Sequence, residues 1–315
     1  MNKSNMVKST LNRSYKRLKK NIIKDKYLLL LVAPVILYYF IFHYIPMYGA
    51  MIAFKDFSPG QSILGSPWVG FRWFLDFFRS IYFERLISNT LILSGLSLII
   101  SFPIPIIFAL LLNEVKRSNL KRLVQTVSYL PHFISLVVMV GIMANFLSPT
   151  DGVINQLLKR MGMEPVDFMG QPAWFRPLYI GSGIWQSFGW NSIIYMAALT
   201  SIDPQLYEAA RIDGCNRWQE MLHITIPGLM PTAVMLLILA LGNLMNVGFE
   251  KIILMYSPAI YEVADVISTY VYRRGILGTQ YSFGSAVGLF NSVINFMLLL
   301  TVNRISKQYT QIGLW

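Results

Sequence analysis

Amide and carboxylate side chains are sparse in the long apolar stretches of this chain, so the few that occur there are informative. Asn243, Asn246 and Glu250 follow one another at spacings of three and four. On a continuous helix that spacing puts all three on one face. Asn291 and Asn295 repeat the four-residue spacing further on, and Trp185, Gln186, Trp190, Asn191 and Tyr195 form a third polar and aromatic group. A polar group inside a hydrocarbon layer must find a partner, because the lipid offers none. An amide can bond to a neighbouring helix, or it can bond the hydroxyl of a passing solute. Amides, a carboxylate and aromatic rings together suit a saccharide, whose hydroxyls need hydrogen bonds and whose C–H faces lie against rings. Both uses stand open for these residues, and Trp185 and Trp190 fit an interfacial aromatic belt equally well.

Bond-making chemistry has no such support. No Gly-Lys pair occurs, so there is no phosphate loop of the G-x-x-x-x-G-K-[ST] kind. No G-x-S-x-G or H-E-x-x-H sequence occurs either. His43, His132 and His223 fall on separate segments without metal-ligand spacing, and Cys215 is the single cysteine, so no internal disulfide can form. The expectation is therefore no catalytic residue, no metal and no cofactor bound by this chain. Charge is also almost absent from the middles of the apolar stretches, which counts against a proton- or sodium-coupled carrier working alone.

The elements that position these residues follow from hydropathy. Only 13% of the 315 residues are charged and 55% are hydrophobic, whereas soluble domains carry about 25% charge. Runs of 18 or more nearly uncharged residues predict about six transmembrane helices, near 28–54, 86–112, 123–147, 177–200, 229–249 and 281–303. Residues 1–26 then form a basic N-terminal tail, 27–305 the membrane domain and 306–315 a C-terminal tail. The tail holds nine Lys or Arg, loop 113–122 holds four in ten residues, and the loops 55–85, 148–176 and 250–280 together hold ten in about ninety. Excess Lys and Arg mark the cytoplasmic side, which places both termini and the loop 201–228 inside. The net charge of +12 is thereby explained by topology and anionic headgroups rather than by nucleic acid. The first apolar run is too long for a signal peptide and lacks a small-residue cleavage site, so an uncleaved first span is expected. The third outward loop is rich in tyrosine, at Tyr256, Tyr261, Tyr270 and Tyr272; docking of a partner and anchoring among headgroups are both open for it.

Loop 201–228 has its own architecture. Asp203-Pro204 is a helix start, with a carboxylate cap followed by proline at the first helical position. Leu206, Ala209 and Ala210 share one face, and the paired alanines make it low and flat. Gly214 ends that helix, and Asn216 with Gln219 can cap a second short one that stops at Pro227. Arg211 and Asp213 suit ion pairs across an interface, or pairs within the loop.

The loop reads EAARIDGCNRWQEMLHITIP from Glu208 to Pro227. Glu208-Ala209-Ala210, Gly214, Ile224 and Pro227 stand at the intervals of the "EAA" loop of membrane subunits of binding-protein-dependent ABC importers, and only Ile226 departs, where that family usually has leucine. YLLLLVAPVILYYFIFHYIPMYGAMIAFKDF at the first span and LGNLMNVGFEKIILMYSPAIYEVADVISTYVYRRG beyond the fifth resemble the LplB-type permeases of polysaccharide and oligosaccharide importers, over roughly residues 27–305.

The resemblance implies an all-α type I ABC importer transmembrane domain in a bacterial plasma membrane. It implies a second homologous permease, two ATPase subunits that hold ATP and Mg, and an extracellular lipid-anchored solute-binding protein. Glu208, Ala209, Ala210 and Gly214 would carry the coupling role, with the first loop helix seated in a groove of the ATPase. ATP-driven closure of the ATPase pair would move both coupling helices and rock the spans. The helix after the loop lines the pathway in sugar permeases, which carries Asn243, Asn246 and Glu250 over as pathway residues. A non-sugar solute, or a stand-alone secondary transporter, remains the alternative. Gly284-Ser285-Ala286-Val287-Gly288 offers a small-residue face for close packing, on a neighbouring subunit or within the chain.

Overall fold

The structure is a computed structural model and describes residues 24–314; the basic tail expected over 1–26 lies almost wholly outside the described residues. Within them the chain is helical, with one isolated antiparallel bridge between Lys55 and Trp68. Nine helices among the described residues frame the fold: α1 (Lys26–Phe54), α2 (Phe83–Asn113), α3 (Ser118–Phe133), α4 (Leu136–Phe146), α5 (Pro172–Thr200), α6 (Pro204–Ile212), α7 (Arg217–Gly242), α8 (Phe249–Met255) and α9 (Tyr281–Thr310). Four of them, α1, α2, α7 and α9, are long and apolar enough to cross a membrane, and the bent pair α3–α4 raises the number to five if it counts as one span.

The expectation of six continuous spans is corrected at two places. The third predicted span is two helices meeting at 97°. Pro131 removes a backbone donor and tightens the chain into a 3₁₀ turn, and Ser135 in extended conformation starts α4, its hydroxyl accepting from Val138 N–H at 3.4 Å. The fourth expected span, 177–200, falls within α5, one continuous helix of 29 residues that carries Ser182, Gln186, Ser187, Asn191 and Ser192. The fifth does not run over 229–249. It begins at Arg217 and ends at Gly242, and residues 243–248 turn before α8 begins.

The expected stop at Pro227 is also corrected, and the helix passes straight through it. One turn ahead, Met221–Thr225 is widened to π geometry, and Ile226 N–H bonds back five residues to Met221 O. The wider turn accommodates a ring that would otherwise press on the carbonyl four residues back. The same device recurs in α1, where Phe40–Tyr44 is π-helical and Ile45 N–H bonds Phe40 O just before Pro46.

In lipid, helices gain little from burying apolar area against one another, so close packing and hydrogen bonds must hold them. Three apolar clusters provide the packing. Leu93, Met139, Phe175 and Ile252 join α2, α4, α5 and α8. Phe77, Leu86, Tyr270 and Phe283 join α2, α9 and the short helix Arg72–Phe78. Ala109, Leu112, Tyr195, Leu199 and Leu229 join α2, α5 and α7. Of the small-residue face on α9, Gly284 serves an intrachain contact: a Cβ there would stand 3.0 Å from Gly275 Cα, whereas Gly288 faces open space. By contrast α1 buries nothing over Lys26–Met47, and its Tyr48–Phe54 end packs on α9.

The tyrosine-rich segment 250–280 is a folded cap rather than an open loop. Its Asp265 is fully buried and takes both Arg273 nitrogens at 2.7 and 3.1 Å and Arg85 at 3.3 Å. The hydrogen bond from Arg273 to this carboxylate pushes the guanidinium pKa above its ordinary value. Asn89 of α2 donates to the carbonyls of Glu262 and Asp265, and Thr90 accepts from Ile267 N–H. Tyr270 is buried in the second cluster.

Candidate functional site

Two regions concentrate the candidate functional residues. The first is the loop from Asp203 to Pro227, and it follows the local sequence closely. Asp203 accepts from Gln205 N–H at 2.9 Å and starts α6. Gly214 sits at φ +79°, and Cys215 N–H returns to Ala210 O at 2.9 Å, a left-handed stop that a side chain would strain. Asn216 and Gln219 exchange the two bonds of a capping box at 2.8 and 3.0 Å, starting α7. Tyr207 reaches back to Thr225 at 3.0 Å, which ties α6 to the widened turn of α7.

Glu208 and Ala209 are exposed on α6, with Ala210 half-buried beside them. Arg211 does not stand free. It pairs with Glu220 at 2.9 Å across the bend, and that hydrogen bond raises its pKa. Of the two uses open for this arginine, the chain by itself forms the pair within the loop, a clasp between α6 and α7. Asp213 is exposed and makes none of the ion pairs among the described residues. Arg217 pairs with Glu114 at 3.6 Å, fastening the start of α7 to the end of α2. Large apolar side chains remain uncovered around this clasp: Ile212 is 86% exposed and Trp218 71%. Such a patch on a polar loop is open to contact with another chain or with the headgroup layer.

The second region is a cavity of about 660 Å³ among α2, α5 and the break after α7. Its wall includes Ser94 and Ser97 of α2, Tyr179, Trp190, Asn191 and Tyr195 of α5, and Asn243 and Asn246 of the break. Five of the candidate residues, Trp190, Asn191, Tyr195, Asn243 and Asn246, therefore share one space. Trp190 also stacks on His132 with centroids 4.5 Å apart.

The other predicted pathway residues go elsewhere. Asn243, Asn246 and Glu250 do not share a helical face, because α7 ends at Gly242 and Glu250 is exposed on α8. Asn295 is buried and accepts Met245 N–H at 2.9 Å; it satisfies a donor that the helix break frees. Asn291 donates to Asn246 at 2.9 Å, and Asn246 to Asn243 at 3.5 Å, so three amides form a chain from α9 into the cavity wall. The Asn291 Oδ1 is buried without a partner. Trp185 is exposed outside the cavity, and Gln186 donates to Ile134 O at 2.7 Å, closing the gap in the broken span.

A second space of about 270 Å³ adjoins the first and shares Ser97, Ser101 and Tyr179 with it. Lys251 lines it, although it falls in the stretch 250–280 that hydropathy assigns to an outer loop. Only its position beside the apolar run IILM hinted at burial. Tyr179 holds the turn in place: its hydroxyl accepts Gly248 N–H at 3.1 Å and its carbonyl accepts Lys251 Nζ at 2.6 Å.

Residues 101–307 match the family described as the binding-protein-dependent transport system inner membrane component. Two relatives from Bacillus subtilis (strain 168) resemble nearly the whole chain. The polygalacturonan/rhamnogalacturonan transport system permease protein YteP is 43% identical over 95% of this chain and 94% of its own length. Protein LplB is 45% identical over 93% and 92%. A subunit of a bacterial ABC transporter that imports the acidic polysaccharide alginate superposes with TM-score 0.86 at 47% identity, covering 93% of this chain and 99% of that one. A bacterial alginate ABC transporter in complex with alginate pentasaccharide-bound periplasmic protein gives TM-score 0.87 at 46% identity, covering 95% of this chain and 100% of that one.

Proposed function

The chain belongs to the binding-protein-dependent transport system inner membrane components, and on that premise we propose that it is a permease subunit moving an oligosaccharide or polysaccharide fragment into the cell. The drive comes from separate ATPase subunits, which hold the ATP and Mg that this chain has no phosphate loop to bind. A second homologous permease completes the pathway, and an extracellular lipid-anchored binding protein delivers the saccharide. Both termini and the α6 loop lie on the cytoplasmic side, in accord with the Lys and Arg distribution.

One observation carries the coupling role: a helix of nine residues, capped at both ends, presents Glu208 and Ala209 beside the uncovered Ile212 and Trp218. It is clasped to α7, whose far end opens into the cavity wall at Asn243. A push on α6 thus has a rigid route to the space where solute would sit. The experiment is ATP-driven uptake by the assembled importer in proteoliposomes. Glu208→Lys and Gly214→Pro are expected to abolish uptake while the subunit still inserts and assembles with its partner permease. Uptake at the wild-type rate by either variant would reject α6 as the coupling element.

A further inference from the structure

Lys251 is a buried cation without a counter-ion. Its side chain is 6% exposed, and none of the ion pairs among the described residues includes it. The neighbouring Glu250 points to solvent and gives no compensation. An ammonium carries three donors. One is used on Tyr179 O at 2.6 Å, and the group stands over the Tyr179 ring at 4.6 Å. Burial pushes the pKa down to about 8. A charge buried without a partner is costly, and its usual fate is substitution or neutralisation. Retention of this one is explained if its partner arrives from outside.

The surroundings suit a guest. Lys251 lines the smaller cavity with Ser97, Ser101, Gln186 and Ser187. Ser97 Oγ is buried with no hydrogen-bond partner and lines both cavities. Gly183 leaves room beside the ammonium, since a Cβ there would stand 3.1 Å from Nζ. A cation with spare donors and a serine whose hydroxyl has no partner line one space, which shares Ser97, Ser101 and Tyr179 with the amide-lined cavity.

We propose that Lys251 Nζ and Ser97 Oγ form a carboxylate subsite that holds an acidic sugar residue of the cargo during passage. A charge-assisted bond from lysine to carboxylate is stronger than the neutral bonds of the amides around it. The subsite therefore selects uronate-bearing chains over neutral ones at the permease itself, downstream of the binding protein. This rests on the saccharide cargo proposed above.

The test uses the complete importer, both permeases with their ATPases. Radiolabelled trigalacturonate is bound to the detergent-solubilised complex without the binding protein, and its uptake is followed in proteoliposomes with it. Lys251→Gln is expected to weaken binding and slow uptake about tenfold, while Lys251→Arg stays within about threefold of wild type and both complexes melt at the wild-type temperature. Carboxyl-reduced trigalacturonate is expected to compete at least tenfold more weakly than the acid for wild type, and equally with it for Lys251→Gln. Unchanged binding in Lys251→Gln, or equal losses in the glutamine and arginine variants, overturns the subsite and leaves Lys251 as a tether for Tyr179. If the importer moves a neutral trisaccharide but not trigalacturonate, the subsite falls and the saccharide reading stands. If it moves no saccharide, both fall.

Discussion

At the scale of single residues, burial decides which charges matter. Asp265 is fully buried between two guanidiniums, whereas the Arg211–Glu220 pair has its arginine two-thirds in solvent. Removing one member of a buried pair leaves the others uncompensated at a cost of about 3 kcal/mol, whereas exposed pairs are worth about 0–1 kcal/mol. Asp265→Asn is therefore expected to lower the apparent melting temperature of the purified complex by several degrees. Arg211→Ala should leave it nearly unchanged while reducing uptake through a loosened clasp. Equal melting temperatures for the two variants would refute this ranking. Asn246 has a different kind of importance, as the middle of the Asn291–Asn246–Asn243 chain at the cavity wall. Asn246→Leu is expected to impair uptake with assembly intact, and unchanged uptake kinetics would remove it from the pathway.

At the scale of elements, what the sequence makes legible is what short-range bonds decide. The Asp203 cap, the Asn216–Gln219 box and the Gly214 stop all act within five residues, and each is readable from residue types alone. The break at Ser135 is local too, but a hydropathy window over 123–147 averages across it. The end of α7 at Gly242 is of another kind: the turn there is stabilised by Asn295, fifty residues away, and by Tyr179, nearly seventy away. Nothing within the run LGNLMNVGFE announces that, which is why a single face for Asn243, Asn246 and Glu250 is the natural reading of the sequence and not the structure. Lys251 was hidden for the same reason, since its partner Tyr179 lies 72 residues earlier. Pro227 shows how an element can be more continuous than its residues suggest. The π turn before it joins the loop to α7 in one helix. Pro227→Ala removes the steric reason for the wide turn, and a tightened turn would rotate α6 relative to the span. The expected outcome is ATP hydrolysis near the wild-type rate with less saccharide moved per ATP. A transport-to-hydrolysis ratio equal to wild type would show that the wide turn plays no part in coupling.

At the scale of the whole molecule, the two functional regions lie at opposite ends of one lever. A 26-residue helix spans about 39 Å at 1.5 Å per residue, enough to carry a displacement of the α6 patch across a hydrocarbon core to the break that lines the cavity. The lever works only if α6 lies with the ATPases in the cytoplasm and the Asp265 cap lies outside. Charge bias predicts that arrangement, and chemical labelling can read it directly. In a Cys215→Ser background, which removes the native cysteine, Ile212→Cys and Leu277→Cys place thiols at two well-exposed positions. A membrane-impermeant maleimide applied to intact cells is expected to label Leu277→Cys and spare Ile212→Cys. In inside-out vesicles the pattern should reverse, and bound ATPase subunits should then shield Ile212→Cys, since its patch is the surface they are expected to cover. The opposite labelling in cells would invert the topology and detach the coupling role from α6. Labelling of Ile212→Cys that bound ATPase leaves undiminished would keep the topology and move the docking surface elsewhere on the cytoplasmic face.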